Sequence, residues 1–240
     1  GVIGFVLHRA LSAKVMPALN IQRLFFEGTF AVMGKVAKAD GRVTEQEISY
    51  AREVMSRMNL AEDKRREAIE LFTRGKEADF EISTVLAPLA RLIRFRPEVK
   101  QMFVEIQLQV AFADGQVSQA ELMVIQEVCS LLQINYHDLQ QILQRCRAEQ
   151  AFNQQSYYGH QQGFVNEAQL LKEAYGVLGV EDSVDDAELK RAYRKLMSQH
   201  HPDKLIAKGL PEEMMQLAKE KTQEIQAAYD RIRDYRKRNR

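Results

Sequence analysis

The chain has 240 residues, 45% of them apolar, which is enough for one large domain or two ordinary ones and excludes disorder throughout. With 34 Lys and Arg against 33 Asp and Glu the net charge is +1, so no global field draws the chain to nucleic acid or lipid, and any electrostatic partner must meet a local patch. Only Cys129 and Cys146 are present, which excludes a disulfide scaffold and an all-cysteine zinc site and points to a reducing compartment. Twelve Gly, five Pro, no Trp and long Ala/Leu/Glu/Gln/Lys/Arg segments favour helix nearly everywhere, so the expected fold class is all-α.

The chain opens at Gly1 on an apolar run, Gly1–Leu7, far short of the ~20 residues that a membrane-spanning helix needs. His8, Arg9 and Lys14 follow with no acid before Glu27, the charge bias of the cytoplasmic side of a span. No small-residue cleavage pattern of a secretory signal is present. Residues 1–24 are therefore expected to be the end of a membrane anchor, with the span lying upstream of, or including, Gly1–Leu7.

A repeat organises the next stretch. Residues 37–48, AKADGRVTEQEI, match residues 111–122, AFADGQVSQAEL, at an offset of 74 positions. In each copy Asp-Gly makes a turn and a capping box follows, Thr44 with Glu47 and Ser118 with Glu121. Phe26, Phe30, Met33, Val36 and Ala37 precede the first turn at helical spacing, and Phe103, Ile106, Val110 and Ala111 the second, so both stripes are expected in the core. The spacing predicts a pseudo-symmetric helical domain of two helix–turn–capped-helix repeats.

The turns match the second half of a calcium-binding loop, which makes Asp40, Glu47, Asp114 and Glu121 the candidates for a metal site. The first half fails, because Val36, Lys38, Val110 and Phe112 stand where oxygen ligands are needed. The aspartates have a second use, shaping the turn by side chain to backbone hydrogen bonds. Residues 25–147 resemble the tellurite-resistance protein TerB and its relatives, an all-helical family in which acidic residues near these turns have been linked to divalent metal.

Residues 148–168 hold five Gln, two Asn, two Gly and no Lys or Arg, a composition expected of a flexible linker. Beyond it, Leu170, Leu171, Ala174, Tyr175, Val177 and Leu178 predict a short helix ended by Gly179. A second helix starts at the N-cap Asp185, with Glu188 completing a capping box and Val184 placed to pack on Leu189. Leu189, Ala192, Tyr193, Leu196 and Met197 share one side of it, and Lys190, Arg191, Arg194 and Lys195 the other. Pro202 stops the helix near His200 and leaves His201-Pro202-Asp203 in an exposed loop. A long helix is expected from Pro211 to about Arg233, striped by Ala218, Thr222, Ile225, Tyr229 and Ile232, and able to pair with its predecessor as an antiparallel hairpin.

Tyr175-x-x-Leu178-Gly179-Val180, the Leu189–Leu196 run LKRAYRKL, His201-Pro202-Asp203-Lys204 and Ala227-Ala228-Tyr229 stand in the order of a J-domain, which residues 169–240 resemble. The resemblance implies a co-chaperone that stimulates ATP hydrolysis by a DnaK-type chaperone. It assigns the contact to His201, Pro202, Asp203, Lys204 and the basic face Lys190, Arg191, Arg194 and Lys195, with Asp203 pairing a partner arginine. With a TerB-like domain and an apolar stub in front, the whole is similar to membrane-anchored DnaJ-like co-chaperones. That similarity implies a bacterial inner-membrane protein facing the cytoplasm, linked to envelope stress and capsule regulation. No glycine/phenylalanine-rich region or zinc-binding domain follows the J-domain, which argues against general client holding as in DnaJ.

No phosphate loop and no nucleophile paired with a base are discernible, so neither an enzymatic reaction nor a cofactor is expected. A nucleic-acid binder would use the same basic helix with Arg236, Lys237, Arg238 and Arg240, but Asp182, Asp185, Asp186 and Glu188 crowd its start. Residues 169–240 carry 15 basic and 13 acidic side chains, only +2, so no nucleic-acid partner is expected. The alternative function is metal binding or sensing at the repeated Asp-Gly turns. Residues 1–168 are expected to supply address and oligomeric state, with homodimer formation left open.

Overall fold

The computed structural model describes the chain except at positions 1, 42, 44, 59, 114, 163–166 and 240, and describes backbone alone at 2–19, 46, 47, 50 and 155–162. Among the described residues there is no strand. The helices are α1 (Val2–Ala37), α2 (Glu45–Arg57), α3 (Glu62–Gly75), α4 (Ile82–Leu92), α5 (Pro97–Ala111), α6 (Gln119–Leu132), α7 (Tyr136–Gln162), α8 (Glu167–Leu178), α9 (Asp186–His200), α10 (Pro202–Ala207) and α11 (Met215–Arg238), with a 3₁₀ turn at Glu212–Met214. Two compact units result, one of residues 1–134 with 205–215, the other of 135–204 with 216–240. Over the described residues, no helix is long and apolar enough to cross a membrane.

In the first unit α1 is the central element, packed by α3, α4 and α5. Its expected stripe is buried, Phe30, Val36 and Ala37 completely, and so is the α5 stripe of Phe103, Ile106, Val110 and Ala111. Phe25 meets Phe103 edge to face with ring centroids 5.2 Å apart. Close approach of α1 to α3 depends on two glycines. A Cβ on Gly34 would lie 2.0 Å from the Phe72 carbonyl oxygen, and one on Gly75 1.8 Å from that of Ala31, so the two backbones touch where no side chain fits. The buried amide of Gln107 donates from Nε2 to the Thr29 carbonyl (3.2 Å), tying α5 to α1.

The described backbone of the two turns hydrogen-bonds alike. Ala39 N donates to Val36 O and Gly41 N to Lys38 O in the first turn; Ala113 N to Val110 O and Gly115 N to Phe112 O in the second. Both glycines take positive φ, 88° and 98°, which a side chain would strain. In the second repeat the capping box is complete, with Glu121 N 3.2 Å from Ser118 Oγ and Ser118 N 2.7 Å from Glu121 Oε2. The first box, Thr44 with Glu47, lies outside the described residues.

Residues 205–215 join this first unit. Leu205, Leu210 and Met214 are fully buried, Arg96 Nη1 donates to Lys208 O (2.6 Å), Gln22 Nε2 donates to Leu210 O (3.2 Å), and Lys208 Nζ pairs with Glu98 at 2.8 Å.

The second unit is built on α8, α9, α11 and much of α7. Its core holds Leu170, Ala174, Tyr175, Val177, Leu178, Leu189, Leu196, Ile225, Ala228 and Ile232, together with Ala148 and Phe152 of α7. Here the structure departs from the expected flexible linker: 148–162 is helical, and Ala148 and Phe152, one turn apart, are buried, while 163–166 lie outside the described residues. A sequence-averaged polarity hides that single apolar stripe.

Candidate functional site

The site begins with how α8 ends and α9 starts. Gly179 takes φ 64°, and Val180 N donates back to Tyr175 O (3.2 Å) to close α8 as a Schellman motif. Asp185 then caps α9, its Oδ1 2.7 Å from Glu188 N, with Glu188 reaching back to Asp185 N. The expected apolar side of α9 turns inward: Leu189 and Leu196 are buried, and Tyr193 and Met197 pack partly covered against the same core. Tyr193 stacks on Tyr229 of α11 with centroids 4.2 Å apart and donates its hydroxyl to Gln226. Burial, then the Asp230 charge and Tyr229, hold its phenol above the ordinary value of 10.0.

Lys190, Arg191, Arg194 and Lys195 consequently face water, all four exposed and none with an ion pair among the described residues. The face ends where the helix does. His200 is buried, its Nδ1 3.0 Å from Leu196 O. The next residue, His201, leaves the helix with extended backbone (φ −61°, ψ 123°), the geometry that Pro202 imposes on its neighbour. His201 and Asp203 are exposed and Pro202 is half-buried.

Two local expectations need correction. Pro202 and Asp203 open the short helix α10 rather than lying in a loop, because proline suits a first helical position and Asp203 is favoured in a first turn. Lys204, placed by the J-domain resemblance with the contact residues, ties the turn to α9 by donating to Ser198 Oγ (2.6 Å). The long helix expected from Pro211 begins at Met215, after the 3₁₀ turn that Pro211 precedes.

Arg236, the side chain a nucleic-acid reading would recruit, is spent inside the unit. Its Nε donates to Tyr175 Oη (3.0 Å), Nη1 to Asp186 (2.9 Å) and Nη2 to the carbonyls of Val184 (2.7 Å) and Asp182 (3.3 Å), while the guanidinium lies 5.5 Å over the Tyr175 ring. Burial works against its charge, but the bonds to Asp186 and Tyr175 outweigh it and raise the pKa. Arg238 pairs with Glu167. These partners lie dozens of residues away in sequence, and no local pattern announces them.

The metal candidates are not drawn together among the described residues, where no group of three or more His, Cys, Asp or Glu side chains could hold an ion. Glu121 serves in its capping box. Asp40 is exposed at its turn, whereas Asp114 and the Glu47 side chain lie outside the described residues.

Comparison with known proteins agrees with this geometry. The family described as tellurite resistance protein TerB matches residues 27–144, and the DnaJ domain family matches residues 173–240. A protein named co-chaperone protein DjlA from Coxiella burnetii is 49% identical over 226 residues, 94% of this chain and 82% of its own length. Proteins of the same name from Shewanella oneidensis (46% identical; 91% and 80% covered) and Aliivibrio fischeri (45%; 88% and 78%) are similar over most of both chains. No solved structure matches this chain. Identity of that level along most of the sequence, with a TerB match followed by a DnaJ match, shows that the chain belongs to the DjlA family of co-chaperone proteins.

Proposed function

We propose that this chain stimulates ATP hydrolysis by a DnaK-type chaperone and performs no chemical step of its own. The observation that carries the reading is the exposed His201-Pro202-Asp203 corner at the end of a helix face whose four cations are unpaired. Lys190, Arg191, Arg194 and Lys195 would steer the unit onto an acidic surface, giving on-rate and orientation more than deep affinity. The corner would then meet the chaperone where nucleotide domain and linker join, with Asp203 pairing an arginine there. Acceleration requires that this contact favour the hydrolysis-competent conformation over the resting one. Single-turnover ATP hydrolysis by a purified DnaK-type chaperone, with and without the chain, tests the reading; no acceleration overturns it.

The same proposal places the protein at the bacterial inner membrane, facing the cytoplasm and acting in envelope-stress or capsule signalling. Support comes from the apolar Gly1–Leu7 run, the acid-free stretch that follows, and the similarity to DnaJ-like membrane co-chaperones. Residues 1–168 would supply location and oligomeric state, and tethering would raise the local concentration of the J-domain at the bilayer.

A further inference from the structure

The turn between α4 and α5 presents an apolar side chain that the fold has no use for. Phe95 is 85% exposed, and Leu92 beside it is 38% exposed. The turn is nevertheless firmly built. Ile93 is fully buried, Arg96 N donates to Ile93 O (2.9 Å), Pro97 starts α5, and Arg96 reaches inward to Lys208 O. Phe95 is thus held outward by a rigid support.

Along the chain the charge before and beside it is of one sign. Between Glu81 and Glu98 the chain has no acid and three arginines. Arg96 is occupied, while Arg91 and Arg94 are exposed and without ion pairs among the described residues. The Arg94 guanidinium lies 5.0 Å from the Phe95 ring centroid, so cation and ring are offered together. Two apolar side chains fall far below the roughly 800 Å² per partner of a stable protein interface. A lipid surface has no such requirement: one aromatic can enter the headgroup–acyl boundary while neighbouring guanidiniums bind phosphates, provided that a second attachment supplements it.

The geometry points to the Arg91–Phe95 turn as a shallow docking point on an anionic lipid surface, with Phe95 inserted and Arg91 and Arg94 on headgroup phosphates. This rests on the reading above that the protein works beside a membrane. The turn would fix which side of the first unit faces the bilayer, beyond what a tether alone provides.

The chain contains no tryptophan, so Phe95→Trp installs a single fluorescent reporter at an exposed position. With vesicles of phosphatidylcholine and phosphatidylglycerol, its emission should shift to the blue and be quenched by brominated acyl chains. It should do neither with phosphatidylcholine alone, and salt should reverse both. Adding Arg91→Ser and Arg94→Ser should weaken binding to the anionic vesicles about thirtyfold. Co-sedimentation with unchanged emission would overturn the docking turn and leave membrane attachment standing. Absence of both would overturn the turn and count against the membrane reading too. A blue shift with a purified DnaK-type chaperone but not with vesicles would overturn the proposal in favour of a protein contact.

Discussion

Lys221 of α11 and Glu149 of α7 form an ion pair inside the second unit, with side chains only 4% and 8% exposed. One partner comes from the J-domain's long helix, the other from a stretch whose composition reads as linker. One turn further along α7, Asn153 donates to Glu224 at 2.7 Å, and Ala148 sits against Gly176 so closely that a Cβ there would lie 2.6 Å from its own. Residues 148–153 of α7 are therefore structural to the J-domain unit.

Breaking this pair from one side leaves a buried uncompensated charge. Glu149→Leu should destabilise the second unit by about 3–5 kcal/mol, and Glu149→Leu with Lys221→Met should recover most of the loss. Urea unfolding followed by circular dichroism measures both. By the same reasoning a fragment of residues 169–240 should be markedly less stable than one of 135–240, since it loses the Ala148 and Phe152 contacts as well. Equal midpoints for the two fragments would contradict the assignment of α7.

The basic face makes a kinetic prediction. Arg194→Glu with Lys195→Glu should slow association with the chaperone and flatten its dependence on salt, leaving the helical spectrum native, because both side chains are exposed and unpaired. Stopped-flow association at several ionic strengths decides it. An unchanged on-rate at low salt would reduce the patch to a solvated surface.

Cys129 predicts a pH dependence of the first unit. Burial pushes its thiol from 9.0 up to about 12, so the fold prefers the protonated form. The associated stability is fully present below about pH 9 and is lost as pH rises towards 12. The unfolding midpoint should fall over that window and fall less in Cys129→Ala. Iodoacetamide at neutral pH should leave the thiol unmodified until the unit is unfolded. Rapid labelling of the native chain would contradict this.

Much of this was legible in local pattern, because the relevant physics is local. Ser118 with Glu121 and Asp185 with Glu188 cap helices three residues ahead, Gly179 ends one, and the stripe from Phe26 to Ala37 repeats at the helical period. The basic face of α9 follows from the same periodicity. What stayed hidden depends on partners distant in sequence. Arg236 reads as a spare cation in a basic tail until Asp186 and Tyr175 are seen beside it, and Tyr193 reads as a core aromatic until Tyr229 and Gln226 meet it. Residues 148–162 mislead for another reason: two apolar positions one turn apart suffice to dock a helix, and a Gln-rich average conceals them. Phe95 has no local signature at all, since an aromatic after a helix is ordinarily buried.

The central claim is that an exposed corner acts on a chaperone's ATPase, and His201 tests it most directly. Its side chain is exposed and makes no hydrogen bond among the described residues, so His201→Gln should change stability by no more than about 0.5 kcal/mol. Single-turnover ATP hydrolysis by a purified DnaK-type chaperone should be accelerated by the wild-type chain and revert to the unstimulated rate with the variant. A natively folded His201→Gln protein that stimulates as well as the wild type would contradict the account.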